Sequence, residues 1–123
     1  MSIKLKFKPH LQIAQISELT PLALQLLLSA HTYCDSHNLP CLVSSLTEDA
    51  DGRKTATHSE GRAFDLSIQG WSDEQCRVCE EYFNNRYAAS MGAVSATTKQ
   101  ARVCLYHDTG SGMHLHFQVK REK

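Results

Sequence analysis

Two short stretches organise the chain: His58-Ser-Glu-Gly-Arg-Ala-Phe-Asp65 in its middle and His114-Leu-His116 near its C-terminus. Together they hold three histidines and an aspartate. Imidazole nitrogen and carboxylate oxygen are common ligands of zinc. The remaining residues are expected to form the scaffold that brings the two stretches together.

The residues around both stretches alternate between apolar and polar, as in strands that have one buried face. This alternation places Asp65 on the polar face of one strand, and His114, His116 and Gln118 on the polar face of another. The core face carries the intervening apolar residues Phe64, Leu66, Ile68, Leu115, Phe117 and Val119. Asp65 and the two histidines are therefore predicted to point away from the core.

Two helices are predicted from their capping signals. Thr20 is an N-cap for a helix that begins at Pro21 and runs to about His37. Ser72-Asp-Glu-Gln75 is a capping-box pattern that opens a second helix, over about residues 73–90. The first helix has an apolar face that is predicted to join the core, formed by Leu22, Leu26, Ala30 and Tyr33 and broadened by Leu24, Leu27 and Leu28.

The remaining patterned segments predict strands. The first alternates apolar residues with lysines, which protect a sheet edge from pairing with another chain. The predicted strands cover residues 3–8, 42–46, 64–68, 93–97, 102–107 and 114–119, and a polar loop covers 47–57. The expected fold is a single α+β domain over residues 1–123. Two helices would pack on one face of a mostly antiparallel sheet, and the groove with the metal site would lie on the other.

Charge and hydropathy exclude several functional classes. Lysine plus arginine equals aspartate plus glutamate, at 13 each, so no charge excess favours nucleic acid or an anionic membrane surface. No apolar run reaches the roughly 18 residues of a membrane span. The first residues, Met1–Lys8, lack the apolar core of a signal peptide. The expectation is synthesis in the cytoplasm, with no membrane span.

The five cysteines are an odd number, which favours reduced, buried thiols over a disulfide framework. Cys76-x-x-Cys79 invites a redox or zinc-binding interpretation. However, both cysteines share a helical stripe with Phe83 and Tyr87, and no second cysteine pair follows. A core role is the better interpretation. Two histidines of the first helix, His31 and His37, are interpreted as surface or helix-end residues.

A catalytic zinc keeps three protein ligands and leaves one position for water. One aspartate and two histidines satisfy that count, and a further histidine can orient the water, take its proton or stabilise an oxyanion. A lone His-x-His is a weak signal. The combination is stronger here because the strand phases independently direct Asp65, His114 and His116 to the same face.

The pattern His58-x-x-Gly61-x-Ala63-x-Asp65, followed by His114-x-His116, resembles the zinc peptidases of bacterial cell walls. These include D-alanyl-D-alanine carboxypeptidases, the L-alanyl-D-glutamate endopeptidases of phage endolysins, and murein endopeptidases. The hedgehog signalling domain shares their fold and zinc site. The resemblance is specific over residues 58–68 and 114–117. It implies a hedgehog/D-Ala-D-Ala peptidase-like fold and a small phage or prophage member.

Carried over by position, the resemblance makes His58, Asp65 and His116 the zinc ligands. It makes His114 the extra active-site histidine of the His-x-His branch. Arg53, in the loop before the first motif, matches a family arginine that contacts a substrate carboxylate or carbonyl.

The chain departs from the family pattern at two positions. Ala56 stands where the family usually has a serine, and Met113 stands where one branch has a glutamate general base. Either His114 acts as the base, or the site binds zinc with little peptidase activity. Glu60 occupies a variable position of the motif and is not assigned as the base.

The resemblance implies a zinc metallopeptidase that hydrolyses stem or cross-link peptides of peptidoglycan next to D-amino acids. A protein without a signal peptide would reach the cell wall after lysis or delivery. The alternative is a zinc-binding module of the same fold that lacks catalysis, as in hedgehog. The third possibility is an α+β domain whose histidines are incidental. Nothing in the sequence predicts an oligomeric state.

Overall fold

The computed structural model describes residues 2–11, 13–47, 56–94, 99–108 and 112–122. Within these ranges the helices are α1 (Ile13–Ile16), α2 (Pro21–His37), α3 (Ala56–Ser59) and α4 (Asp73–Met91). The strands are β1 (Leu5–Phe7), β2 (Cys41–Ser45), β3 (Ala63–Leu66), β4 (Ala93–Val94), β5 (Ala101–Arg102), β6 (Cys104–Asp108) and β7 (Met113–Gln118). The α+β class predicted from the sequence is confirmed.

The main sheet has five strands in the order β1-β2-β3-β7-β6. The β1–β2 pair is parallel, whereas β2–β3, β3–β7 and β7–β6 are antiparallel, so the sheet is mixed. Strands β4 and β5 form a separate antiparallel pair. The β3 and β7 strands are interior strands of the main sheet, each with a hydrogen-bonded strand on both sides.

Both long helices begin where their capping residues predict. The Thr20 hydroxyl accepts a hydrogen bond from the Ala23 amide, and Asn38 ends α2 in the left-handed conformation at φ 55°. Ser72 and Gln75 exchange the two hydrogen bonds of a capping box at the start of α4. The predicted bounds of α2 are confirmed, and α4 extends one residue beyond its predicted end.

One apolar core joins the two long helices to one face of the main sheet. Four large apolar residues of β3 and β7 have no more than 1% of their surface exposed: Phe64, Leu66, Leu115 and Phe117. The α4 stripe of Cys76, Cys79 and Phe83 is equally buried, and all five cysteines are buried free thiols. The core interpretation of the Cys76/Cys79 pair is therefore confirmed.

Part of the predicted α2 face lies outside the core. Leu24 and Leu28 are 38% and 53% exposed, whereas Leu26, Leu27 and Ala30 are buried. The two exposed leucines are four residues apart and so occupy one flank of the helix. Only the other flank of α2 contacts the sheet, so the broadened apolar face predicted from the sequence was too wide.

The predicted strand over residues 102–107 is divided between two sheets. Arg102 ends β5, which pairs with β4, and Cys104 begins β6, which pairs with β7. The Asn84 side chain of α4 causes the break, since its Oδ1 accepts hydrogen bonds from the amides of Val103 and Cys104. Its amide group also donates to the Cys104 carbonyl. A helix side chain thus takes the place of a strand partner for the Val103 amide, whereas the Val103 carbonyl still accepts a hydrogen bond from the Gln118 amide.

The first strand is a sheet edge, as its lysines predict. Ile3, Leu5 and Phe7 pack against the core, whereas the lysines between them are exposed. The predicted 93–97 strand is described only over Ala93–Val94, and most of the predicted loop before His58 lies outside the described residues. No helix among the described residues has both the length and the apolar character that a membrane crossing requires.

Candidate metal centre

The pairing of β3 with β7 brings the two sequence motifs together. Asp65 lies directly opposite His116 in this antiparallel pair. Directly opposed residues of such a pair have Cβ atoms about 4.5–5.5 Å apart, so their side chains meet on one face. Because Leu66 and Leu115 lie on the other face, Asp65 and His116 face away from the hydrophobic core, as the alternation predicts.

His58 reaches the same point from the short helix α3, not from a loop as predicted. The turn closes with hydrogen bonds from the Gly61 amide to the His58 carbonyl and from the Arg62 amide to the Thr57 carbonyl. Gly61 has a φ of +73°, and a side chain at this position would collide with the backbone carbonyl of Glu18. Glycine is therefore needed for the chain to pass from His58 into β3.

Two imidazoles converge on one oxygen of the Asp65 carboxylate. Its Oδ1 lies 2.9 Å from His116 Nδ1 and 3.3 Å from His58 Nε2. One ligand atom from each of His58, Asp65 and His116 lies within 4.8 Å of the other two. This set is the group of potential metal ligands that the described residues assemble, and it is the set that the family resemblance implies.

The hydrogen bonds of the two imidazoles fix which nitrogens face the carboxylate. His58 Nδ1 lies 2.6 Å from the Leu46 carbonyl, which only accepts, so Nδ1 carries the proton. His116 Nε2 lies 3.0 Å from Gln118 Oε1, which also only accepts. In the neutral rings, His58 Nε2 and His116 Nδ1 are therefore lone pairs directed at Asp65.

Lone pairs and a carboxylate oxygen repel one another unless a cation lies between them. Burial raises the pKa of the Asp65 carboxyl, but hydrogen bonds from His116 and His58, which require an additional proton on each ring, outweigh burial and hold that pKa well below its usual range. Asp65 is therefore ionised at neutral pH. The cation is either an additional proton on the imidazoles or a metal ion in their place, and metal binding displaces such protons.

The donor set and its spacing fit zinc. Two nitrogens and one carboxylate oxygen are typical of a catalytic zinc site with one open position. Tetrahedral coordination with bonds of 2.0–2.1 Å places ligand atoms about 3.3 Å apart. The distances of 2.9 and 3.3 Å from Asp65 to His116 and His58 are close to that value. His58, Asp65 and His116 could thus hold the metal with little rearrangement.

His114 lies beside this set but not within it. Its Nε2 is 3.8 Å from Asp65 Oδ2, the oxygen turned away from His58 and His116. Its Nδ1 lies 3.1 Å from the Gly112 carbonyl, so Nδ1 carries the proton and Nε2 is the unprotonated nitrogen of the neutral ring. In the neutral ring, His114 therefore directs an unprotonated nitrogen toward Asp65 at the edge of the site.

A fourth imidazole of this face, His107, was missed in the sequence. It lies on β6 directly opposite His114, and its ring centroid is 5.0 Å from that of His114 and 5.5 Å from that of His116. Its Nε2 is buried without a hydrogen-bond partner among the described residues. Burial lowers the pKa of His107, and the nearby His116 and His114 lower it further. The neutral ring thus leaves one polar atom unsatisfied beside the site.

A signal for His107 was present in the sequence. His107 lies two residues after Leu105, so the two residues share one face of the strand. Cys104 and Tyr106 lie on the face toward the core, and alternation therefore directs His107 to the polar face. The pairing of Asp108 with Met113 then places it opposite His114. The predicted strand over 102–107 contained these residues, but no face was assigned to it.

The other residues considered from the sequence have different outcomes. Arg53 lies outside the described residues, so its predicted substrate contact stays a prediction. Met113 is 42% exposed on β7 and offers no acid–base group where one family branch has glutamate. Glu60 is engaged with Arg62 and Arg121, whose hydrogen bonds lower its pKa to about 2. Leaving Glu60 out of the catalytic assignment agrees with these contacts.

Comparisons of the chain with models of protein families, with curated proteins and with solved structures returned no match.

Proposed function

We propose that this chain is a zinc-dependent metallopeptidase that hydrolyses stem or cross-link peptides of peptidoglycan next to D-amino acids. Under this proposal it has the fold shared by D-alanyl-D-alanine peptidases and the hedgehog domain, and it acts on the cell wall after lysis or delivery. The metal centre is supported by geometry. The substrate class rests on the resemblance of the two motifs to cell-wall peptidases.

The observation that carries the proposal is the orientation of the three imidazoles around Asp65. Each is anchored through a protonated nitrogen to an oxygen that only accepts, so its other nitrogen faces the carboxylate. Incidental histidines on a solvated sheet face would not share this orientation. The arrangement supplies two nitrogens and one oxygen for a metal, and leaves His114 Nε2 beside them as a base.

The roles of the residues follow from their positions. His58, Asp65 and His116 hold the metal. When bound, zinc supplies Lewis acidity, which makes water a better nucleophile and polarises a substrate carbonyl. His114 accepts the proton of the attacking water through Nε2 and delivers it to the leaving amine. The central strands β3 and β7 keep these groups in place during the reaction.

The first test is the metal content of protein purified without chelator and without a metal-affinity tag. We expect about one zinc per chain, from the three-ligand count of a catalytic site, and its loss in His58→Ala and His116→Ala. His37→Ala is the matched control, because this histidine is exposed at the end of α2. Absence of zinc in the wild-type protein, with no thermal stabilisation when zinc is added, would sink the proposal.

The second test is digestion of purified peptidoglycan, with the released fragments identified by mass spectrometry. His114→Ala should keep its zinc and lose hydrolysis by about 10²–10⁴-fold, the usual contribution of an acid–base group. If this variant cleaves at the wild-type rate, His114 is not the base. The mass of the fragments also identifies the scissile bond.

A second candidate function is a zinc-binding module of the same fold without catalysis. The observation that favours it is Met113, which stands where one branch of the family has its glutamate base. Zinc bound at full occupancy together with intact peptidoglycan after prolonged incubation would select this alternative. The retained His114 beside the site favours the enzyme, since metal binding alone does not require it.

A further inference from the structure

Gln118 is a buried polar residue that the proposed chemistry does not use. It is the last residue of β7, lies two residues after His116, and is 7% exposed. Its side-chain amide nitrogen lies 3.2 Å from the Arg102 carbonyl and 3.4 Å from the Ala93 carbonyl. Its Oε1 lies 3.0 Å from His116 Nε2. One carboxamide thus links the two-stranded β4–β5 sheet to a candidate metal ligand.

The surroundings of the carboxamide permit one orientation. Backbone carbonyls only accept hydrogen bonds, so the amide nitrogen of Gln118 must face Arg102 and Ala93. The side-chain oxygen is then left facing His116. That oxygen also only accepts, so His116 Nε2 must carry a proton, and Nδ1 is the nitrogen that remains for Asp65 or a metal.

We propose that Gln118 is a positioning residue that holds the His116 ring with Nε2 protonated, so that the chain binds its metal through His116 Nδ1. This inference rests on the metal centre of the proposed function, and not on the peptidase activity. Hydrogen bonds from a ligating histidine to a neighbouring acceptor orient the ring and strengthen it as a ligand. Gln118 supplies that acceptor here, and β4 and β5 keep it in place.

His58 shows the same arrangement with a different partner. Its Nδ1 is anchored by the Leu46 backbone carbonyl, and its Nε2 faces Asp65. A side-chain substitution does not remove a backbone acceptor, so His58 offers no direct test of anchoring. The anchor of His116 is a side chain, and it can be changed without touching a ligand.

The test compares Gln118→Met with wild-type protein. Methionine keeps the length of the side chain and its volume, but provides neither the acceptor for His116 nor the donors for the two carbonyls. Gln69→Met is the matched control, because Gln69 is exposed. Zinc affinity is measured by competition with a chromogenic chelator. We expect binding about 10–100-fold weaker in Gln118→Met, the usual effect of losing such a partner, and unchanged binding in Gln69→Met.

Cadmium as the metal probe gives a second measurement that needs no variant. Scalar couplings between bound cadmium and the imidazole nitrogens identify which nitrogen of each histidine coordinates. Coupling to Nδ1 of His116 and to Nε2 of His58 is expected. Coupling to Nε2 of His116 would overturn the inference, whether or not Gln118→Met folds.

Gln118→Glu distinguishes loss of the hydrogen-bond acceptor for His116 from a general change in packing. Like methionine, glutamate lacks the donors for the Arg102 and Ala93 carbonyls, but it keeps an oxygen that can accept from His116 Nε2. Gln118→Glu should therefore bind zinc more tightly than Gln118→Met. Equal zinc affinity in wild type, Gln118→Met and Gln118→Glu would overturn the positioning role. If the wild-type protein binds zinc but leaves peptidoglycan intact, only the peptidase proposal fails. If it binds no metal, both fail.

Discussion

The two faces of the main sheet have opposite chemistry, although their residues alternate along the same strands. On one face, Phe64 and Phe117 stack with their ring centroids 4.9 Å apart, and the long helices cover them. On the other face, the neighbours Asp65 and His116 direct a carboxylate oxygen and an imidazole nitrogen at each other. The first face is satisfied within the fold, whereas the second requires a cation.

This contrast shows that the two faces have different roles. One face stabilises the fold, whereas the other keeps an arrangement that lowers the stability of the metal-free protein but is suited to binding. Functional sites often keep groups that are unfavourable to the free protein. The strict alternation of strand residues makes this possible, because a strand held by its core face keeps the polar face in a fixed geometry. Substitutions on the two faces should therefore have different consequences.

The largest effect on stability is expected from Phe117→Ala. Phe117 is fully buried, stacks on Phe64 and meets the edge of Phe83 at 5.3 Å between ring centroids. Removing a buried phenylalanine costs about 3–5 kcal/mol. Urea denaturation should show this loss in the free energy of unfolding.

Met113→Ala is the matched control on the same strand, because Met113 is 42% exposed. It should change the free energy of unfolding by less than about 1 kcal/mol. Similar losses in Phe117→Ala and Met113→Ala would show that the described core face does not dominate stability.

For Asp65→Asn, on the polar face, the main expected effect is on zinc affinity and not on stability. Loss of a residue that hydrogen-bonds a metal ligand weakens metal binding by roughly 10–100-fold. The zinc affinity of this variant should fall by more than that, because a charged ligand is itself removed. Without metal, the side-chain amide of asparagine can donate a hydrogen bond to an imidazole lone pair. The metal-free variant should then unfold at a denaturant concentration close to that of wild type.

Chelator competition and urea denaturation of the same preparations check this pair of expectations. Zinc affinity equal to wild type would remove Asp65 from the ligand set. A metal-free variant that is several kcal/mol less stable would show instead that the carboxylate is a structural partner of the histidines, and the contrast between the faces would fail.

A smaller effect is expected from His107→Phe. The buried Nε2 of His107 has no partner among the described residues, and an unsatisfied buried polar atom costs about 1–3 kcal/mol. Phenylalanine keeps a ring against His114 and His116 without that atom. The free energy of unfolding of the metal-free protein should stay level or rise by about 1 kcal/mol.

Thermal and urea denaturation measure this change, with zinc affinity as the accompanying readout. If His107→Phe destabilises the protein by more than about 1 kcal/mol, the imidazole has a polar partner in solution. That result would show that His107 contributes to the stability of the fold and is not an unsatisfied polar residue.

The faces of the strands were predictable from the sequence, because alternation fixes which residues share a side. The bounds of α2 were predictable because Thr20, Pro21 and Asn38 mark its ends chemically. The register that sets Asp65 opposite His116 depends on contacts between segments far apart in the chain, so local pattern did not give it. The family resemblance, and not the pattern, singled out His58, Asp65 and His116 as ligands.

Other features depended on contacts that no local pattern reports. The division of the strand at Val103 comes from the Asn84 side chain of a distant helix. The single turn at His58 is too short to carry periodicity. Gln118 was placed on the correct face, but its link between His116 and the β4–β5 pair requires the tertiary fold.

The smallest effect concerns Glu60, which lies inside the first motif and pairs with Arg121 of the C-terminal segment. Hydrogen bonds from Arg121 and Arg62 lower its pKa to about 2, from a usual value of 4.5. A carboxyl whose pKa is lower in the folded state contributes stability above its unfolded pKa. That contribution is lost as the pH falls through the folded value. The relevant window is therefore between pH 4.5 and about 2.

Glu60→Gln should make unfolding less dependent on pH across this window, with a small change at neutral pH because the pair is solvent-exposed. Urea denaturation at several pH values measures the difference between the two proteins. Arg121→Gln removes the larger of the two partners and should reproduce most of the effect, since Arg121 holds both carboxylate oxygens of Glu60 at 2.8–2.9 Å while Arg62 remains. If the pH dependence of both variants matched that of wild type, this ion pair would contribute nothing to the stability of the segment that follows His58.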